Sequence, residues 1–237
     1  MVPPTKAIFF DLGETLVTQN IEDSMVTRNA LQTISKILPH HVSPRTLFKL
    51  YMRGYKTNDK TRSEYNVEIP IRAWMRQLLE RVLVDEPEPR LVEKCIQIIV
   101  RARAANAVAF HDAHETIRLL SRRRAKLGVI SNVSSHDVAL GILDHTRLSK
   151  YFDLVITSAL TGIRKPDPGI FRYALYQLDI TPREAVIVGD SERHDIRGGY
   201  TAGFRTVLIS RRKRVEESFA DYQFGSLIDA APTLQSL

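Results

Sequence analysis

Short apolar runs that end on a polar residue or a glycine punctuate two parts of this chain, and they set its architecture. Residues 6–10, KAIFF, stop at Asp11, two positions before Gly13. LGVISN at 127–132, DLVITS at 153–158, AVIVGD at 185–190 and RTVLIS at 205–210 repeat that form. Runs this short, rich in β-branched residues and closed by turn formers, predict buried strands that open into functional loops. Helical spacing separates them: Ile117, Leu119 and Leu120 in 112–125, Val138, Leu140, Ile142 and Leu143 in 136–148, and Phe171, Ala174, Leu175 and Leu178 in 168–178. Strands alternating with helices predict an α/β fold built on a doubly wound parallel sheet.

Residues 18–108 carry a different pattern. Apolar positions keep helical spacing over long stretches such as 71–83 and 91–100, without strand-like runs, and Pro39, Pro44, Pro70, Pro87 and Pro89 divide the segment into four or five helices. The expected organisation is a core domain of residues 1–17 and 109–237, with an all-helical domain of residues 18–108 inserted into it. No internal repeat or low-complexity tract interrupts this plan.

Composition narrows the setting. With 43% hydrophobic residues the chain has enough apolar side chains for a full core. The opening apolar run is too short for a signal peptide, and no stretch approaches the roughly 18–20 apolar residues of a membrane span. A single cysteine, Cys95, excludes an internal disulfide and any multi-cysteine metal site. These features predict a soluble cytoplasmic protein, monomeric or homodimeric, with no membrane partner. Most of the net charge of +7 falls within residues 17–109. Its basic residues read as scattered among acids, without the dense stripe and interleaved aromatics of a nucleic-acid track, so no nucleic-acid partner is expected. The clusters Arg122-Arg123-Arg124 and Arg211-Arg212-Lys213-Arg214 read as solvated helix ends or loops.

In an open α/β sheet, ligands bind beyond the carboxyl ends of the strands. The polar residues there are Asp11, Ser131 with Asn132, and Asp190, with Lys165 in the loop after the strand at 153–158. Taken singly, each is an ordinary turn or cap residue. Together, two carboxylates, a hydroxyl and an amine at one rim are the parts needed to attack a phosphoryl group.

Four motifs lie at those strand ends in order: FDLGETL at 10–16, ISN at 130–132, RKPDPGIF at 164–171 and GDSERHDIRGGYTAG at 189–203. In all four the chain resembles the haloacid dehalogenase-like hydrolases, and the helical insert resembles the cap these enzymes carry between their first two motifs. The resemblance implies a Rossmann-like core and a phosphatase that forms an aspartyl-phosphate on Asp11. It implies Mg²⁺ held by Asp11, the backbone carbonyl of Gly13 and Asp190, with Asp195 as a further or water-bridged ligand. Lys165 would be catalytic and, with Ser131, the backbone N–H of Asn132 and Thr15, would hold the phosphate; Thr15 would also orient the first loop.

An ordinary aspartate titrates near about 3.9, so Asp11 is expected to be ionised. Each pair of like unit charges at about 4 Å costs roughly 4 kcal/mol at an effective dielectric near 20, so a phosphate dianion needs cations to approach Asp11. A hard oxygen shell suits Mg²⁺, and Lys165 adds a second positive charge.

One position departs from the family. Its phosphatases usually carry a second aspartate, the general acid and base, where this chain has Gly13. A positioned proton donor is typically worth about 10²–10⁴ in rate. Three readings follow: a phosphatase whose proton comes from water, Glu14 or His194, or whose leaving group needs little help; a dehalogenase-like hydrolase using the same carboxylate; or a catalytically impaired protein kept for binding or regulation. Retention of Asp190 and Asp195 favours the metal-dependent reading. A cap of this length implies a small phosphorylated metabolite as substrate. The polar stretch 51–66, with Arg53, Lys56 and Arg62, is either a substrate-contacting surface or an exposed loop between helices.

Overall fold

The computed structural model describes residues 3–211 and 215–237. A six-stranded parallel sheet forms the core, with strands β1 (Ala7–Phe10), β4 (Lys126–Ser131), β5 (Leu154–Thr157), β6 (Ala185–Gly189), β7 (Arg205–Ile209) and β8 (Tyr222–Phe224). Their spatial order is β5-β4-β1-β6-β7-β8. The chain therefore builds outward from β1 in one direction and then returns to build in the other. This reversal places a topological switch point at β1, where a crevice opens beyond the strand ends.

Alternation along β1 divides the core into two layers. Ile8 and Phe10 pack with residues of helices α5 (His111–Leu120), α6 (His136–His145) and α10 (Leu227–Ser236). Ala7 and Phe9 face the opposite way, against α8 (Pro168–Leu178) and α9 (Gly198–Ala202). Both faces of the strand are thus buried, which is why its sequence is continuously apolar.

The insert folds as helices α1 (Asp23–Ser35), α2 (Pro44–Tyr65), α3 (Ile71–Glu80) and α4 (Pro89–Asn106), around a core that includes Leu31, Leu47, Met75 and Ile99. Two short antiparallel strands, β2 (Val17–Gln19) and β3 (Ala107–Ala109), form its stem. Val138 of α6 joins the apolar cluster of the insert, so the helical domain is seated on one core helix. A second connection lies at 66–71: Glu68 N–H donates to the Gly162 carbonyl at 2.8 Å, Arg164 N–H to that of Asn66 at 2.8 Å, and Ile71 N–H to that of Ser134 at 2.7 Å.

Three features of the fold depart from the sequence pattern. Residues 51–66 are mostly neither loop nor substrate surface: α2 runs on to Tyr65, started by Ser43, whose hydroxyl accepts from Thr46 N–H, and by Pro44 in its first turn. Arg62 is buried and paired with Glu68 at 3.6 Å, while Arg53 and Lys56 open onto a groove away from the strand ends. Arg211 is no solvated cation, since it makes two bonds to Asp112 at 2.9 and 3.0 Å; Arg212, Lys213 and Arg214 lie outside the described residues. Strands β2, β3 and β8 and helix α10 add to the elements read from the sequence. No helix among the described residues is long and apolar enough to cross a membrane.

Candidate active site

Parallel pairing brings the chemistry together. Phe10 is in register with both Val129 and Val188, so β1, β4 and β6 end side by side, and Asp11 N–H still donates to the Val188 carbonyl at 2.9 Å. Asp11, Ser131 and Asp190 therefore emerge from three adjacent strands. They line one cavity of about 490 Å³ together with Gly13, Asn132, Lys165 and Asp195.

Lys165 is the hub. Its ammonium donates to Asp11 Oδ1 at 2.5 Å, to Asp195 Oδ1 at 2.6 Å and to the Ile130 carbonyl at 2.6 Å. Burial works against the charged form, but the carboxylates of Asp11 and Asp195 outweigh it and raise the lysine pKa above its ordinary value. Its loop is fixed by Asn132, whose side chain accepts from Lys165 N–H at 2.8 Å and donates to the Lys165 carbonyl at 2.9 Å. The side chain of Asn132 is thereby committed to the lysine.

Asp195 sits on a short π-helix, Glu192–Arg197, directly over Gly189. A Cβ at position 189 would lie 2.3 Å from Asp195 Cγ, so only glycine admits the carboxylate there. Both oxygens of Asp195 are engaged, Oδ1 by Lys165 and Oδ2 by Ser191 N–H at 3.0 Å. Thr15, grouped with the phosphate ligands on sequence grounds, is instead fully buried and off the cavity; its hydroxyl donates to Asp190 Oδ1 at 3.4 Å. Its place is beneath a carboxylate, which explains why a threonine follows the first motif aspartate.

One oxygen from each of Asp11, Asp190 and Asp195 lies within 4.8 Å of the others. Burial first, then the neighbouring carboxylates, push the Asp11 carboxyl up to about 7 despite Lys165. Burial and Asp195 likewise push Asp190 up to about 6. The ordinary aspartate value assumed from sequence does not hold for Asp11 in this environment. The cluster has more negative charge than Lys165 can balance, and its donors are hard oxygens, so the residues present fit a divalent cation such as Mg²⁺. Asp11 Oδ2 has no protein donor among the described residues, whereas both oxygens of Asp195 do. Asp11 thus keeps one carboxylate oxygen clear of protein donors, and Asp195 keeps none.

Further residues line the cavity, among them Asp23 and Arg103, which lie in the insert outside every motif. His194, with Nδ1 3.1 Å from Ser191 Oγ, lines the site, and burial lowers its pKa. Arg103 and Asp23, paired at 2.9 Å, and Arg164, paired with Glu68, line the side formed by the insert and the Lys165 loop.

The family model of haloacid dehalogenase-like hydrolases matches residues 5–203, which takes in all of these strand ends. The chain belongs to the haloacid dehalogenase-like hydrolases. It is 29% identical over 214 residues to a glyceraldehyde 3-phosphate phosphatase of Methanopyrus kandleri, covering 88% of this chain and 85% of that one. It is 33% identical over 132 residues to pyrophosphatase PpaX of Bacillus cereus, covering 54% of this chain; the match spans 60% of that relative's length. Among solved structures, a 2-haloacid dehalogenase from Pseudomonas syringae pv. tomato superposes with a TM-score of 0.72 at 22% identity, covering 98% and 99% of the two chains. A family phosphatase from Thermococcus onnurineus gives 0.66 at 24%, covering 97% and 98%. These two likenesses show the shared fold of core and cap.

Proposed function

We propose that this hydrolase is a Mg²⁺-dependent phosphatase of small phosphorylated metabolites, acting through an aspartyl-phosphate on Asp11. The observation that carries the reading is the triad of carboxylates around the Lys165 ammonium at the switch point of the sheet. Similarity to the glyceraldehyde 3-phosphate phosphatase over most of both chains supports it.

Asp11 and Asp190, with the Gly13 carbonyl, would hold the ion. When bound, it supplies positive charge that keeps Asp11 ionised and offsets repulsion between that carboxylate and the incoming phosphate. Lys165, held by Asp195 and Asn132, presents its ammonium to Asp11 and to the phosphate oxygens, with Ser131 at the end of β4. Asp11 attacks phosphorus through one carboxylate oxygen, and the bond to the leaving oxygen breaks as that oxygen takes a proton from solvent water and departs as the alcohol. Water then attacks the phosphoryl group, releasing phosphate and restoring Asp11. His194, its imidazole kept neutral by burial, lines the cavity where Gly13 has no side chain, and we assign it the proton transfer from that water.

Hydrolysis of an activated aryl phosphate with Mg²⁺ tests the reading. Turnover lost with EDTA and with Asp11→Asn is the expected result, and metal-independent turnover would sink it. Gly13 favours one other reading, a dehalogenase-like reaction on the same carboxylate. Halide release from 2-haloacids without metal is its signature.

A further inference from the structure

The basic residues of the insert are not all scattered among acids. Residues 24–58 hold six Lys or Arg and no Asp or Glu. Folding turns this run into α1, the following turn and much of α2, with a groove of about 1070 Å³ along the two helices. Arg45, Lys49, Arg53 and Lys56 edge it, all exposed. Spacings of four, four and three residues keep them on one helix face, over about 16 Å of helical rise. Across the groove, the Arg28 guanidinium lies 4.6 Å from the centroid of the Phe48 ring. Among the described residues no carboxylate lines the groove. None of the five cations enters an ion pair among the described residues, although the same insert pairs Arg62, Arg72, Arg76 and Arg103 with acids.

Five unneutralised charges around one concavity form a local field that favours a ligand with a matching row of negative charge. We propose that the groove between α1 and α2 binds a linear inorganic polyphosphate chain. A phosphate chain supplies closely spaced charge and acceptor oxygens, which match the row of cations and the Gln32 and Ser43 side chains of the lining. A single-stranded nucleic acid uses open aromatic faces for its bases. Phe48 is the one aromatic ring among the described residues that line the groove, and Arg28 covers it. A lipid surface uses projecting apolar side chains, whereas Phe48 and Met52 are half-buried in the groove wall. The groove shares no lining residue with the catalytic cavity, so the proposal stands apart from the phosphatase reading.

The test is fluorescence anisotropy with end-labelled polyphosphate, using the full chain carrying Asp11→Asn in metal-free buffer so that no turnover occurs. Contact with four phosphates gives a log–log salt slope of about −3 by the single-strand relation, or roughly a 50-fold loss of affinity from 50 to 200 mM salt. The triple charge reversal Lys49→Glu, Arg53→Glu, Lys56→Glu should lose at least about tenfold in affinity with an unchanged circular dichroism spectrum. The charge-preserving set Lys49→Arg, Arg53→Lys, Lys56→Arg should stay within about twofold. Parental affinity in the reversal variant overturns the proposal. So does equal or tighter binding of a single-stranded RNA of the same phosphate number, of polyglutamate or of anionic vesicles.

Discussion

Lys165 Nζ stands 2.5 Å from Asp11 Oδ1, although 154 residues separate them, and it is the protein's own cation at the carboxylate proposed to attack phosphorus. The pair is buried, and a third member, Asp195, shares the ammonium at 2.6 Å. Removing the amine leaves carboxylates facing one another with nothing between them. Lys165→Met should therefore abolish turnover of an aryl phosphate while sparing the fold only in part. Breaking a buried ion pair costs about 3–5 kcal/mol, and thermal unfolding would read that loss.

The raised carboxyl values give a pH signature. Asp11, pushed up to about 7, and Asp190, up to about 6, hold protons more tightly in the folded protein than in the unfolded chain, where both titrate near 3.8. Between pH 4 and 7 the folded protein binds more protons, so the metal-free protein loses stability from these groups as pH rises through that window. A divalent cation reverses the loss. The Mg²⁺-induced increase in Tm should grow from pH 5 to pH 8. At 100-fold excess over Kd the ion contributes about 2.7 kcal/mol, or about 5–10 °C for a chain of this size. A Tm increase that shrinks with pH contradicts the proposed ligands.

Gly13 is not glycine for steric reasons. A Cβ there meets nothing within 4 Å, and its φ is not among the positive ones. Gly13→Asp should fold normally and supply the missing proton donor. With an alkyl phosphate, whose leaving group needs a proton, kcat should rise at least about tenfold, and with an aryl phosphate it should change little.

Gly189 is the opposite case. Gly189→Ala sets a methyl group 2.3 Å from Asp195 Cγ, so the carboxylate must move and Lys165 loses one of its two anchors. The expected cost is about 1–3 kcal/mol in stability, with loss of turnover. Retained kcat in this variant would remove Asp195 from the positioning of Lys165.

Arg211 reaches the first loop from behind: it donates to the Thr15 carbonyl at 2.9 Å, bonds twice to Asp112 and stacks on Phe110 at 3.8 Å. Burial raises the Asp112 carboxyl, but the Arg211 bonds and the Leu227 N–H outweigh it and hold the value below the ordinary one. Stability from this group is present above about pH 4 and is lost as pH falls through the folded value. Arg211→Met should lower kcat about tenfold with KM little changed, and Arg211→Lys should recover part of it. The acid limb of the stability profile should flatten in the methionine variant. An equal loss in kcat and in folded fraction would make Arg211 merely structural.

The strands of the core that carry the site were legible because burial on both faces demands continuous apolar runs, and the loops that follow must turn. The four motifs were legible for the same reason: Asp11, Ser131, Asp190 and Lys165 close or follow those runs. The stem strands β2 and β3 were not, since three residues carry too little periodicity to register. Nor was the length of α2, whose polar face hid a helix that buries Leu47, Tyr51, Asn58 and Arg62.

What the sequence determined by itself is the order of the five strands that carry apolar runs and of the helices between them, and the types of charged group at the rim, because period and spacing are local properties; the likeness of four motifs added the family. Tertiary structure decided how those groups act on one another. Thr15 turned out to support Asp190, Asn132 to clamp Lys165, and Asp195 to share the ammonium. Those contacts depend on which strands are neighbours and on how deeply the carboxylates are buried. Burial strengthens each pairing and shifts each pKa, and no local pattern along the chain encodes it.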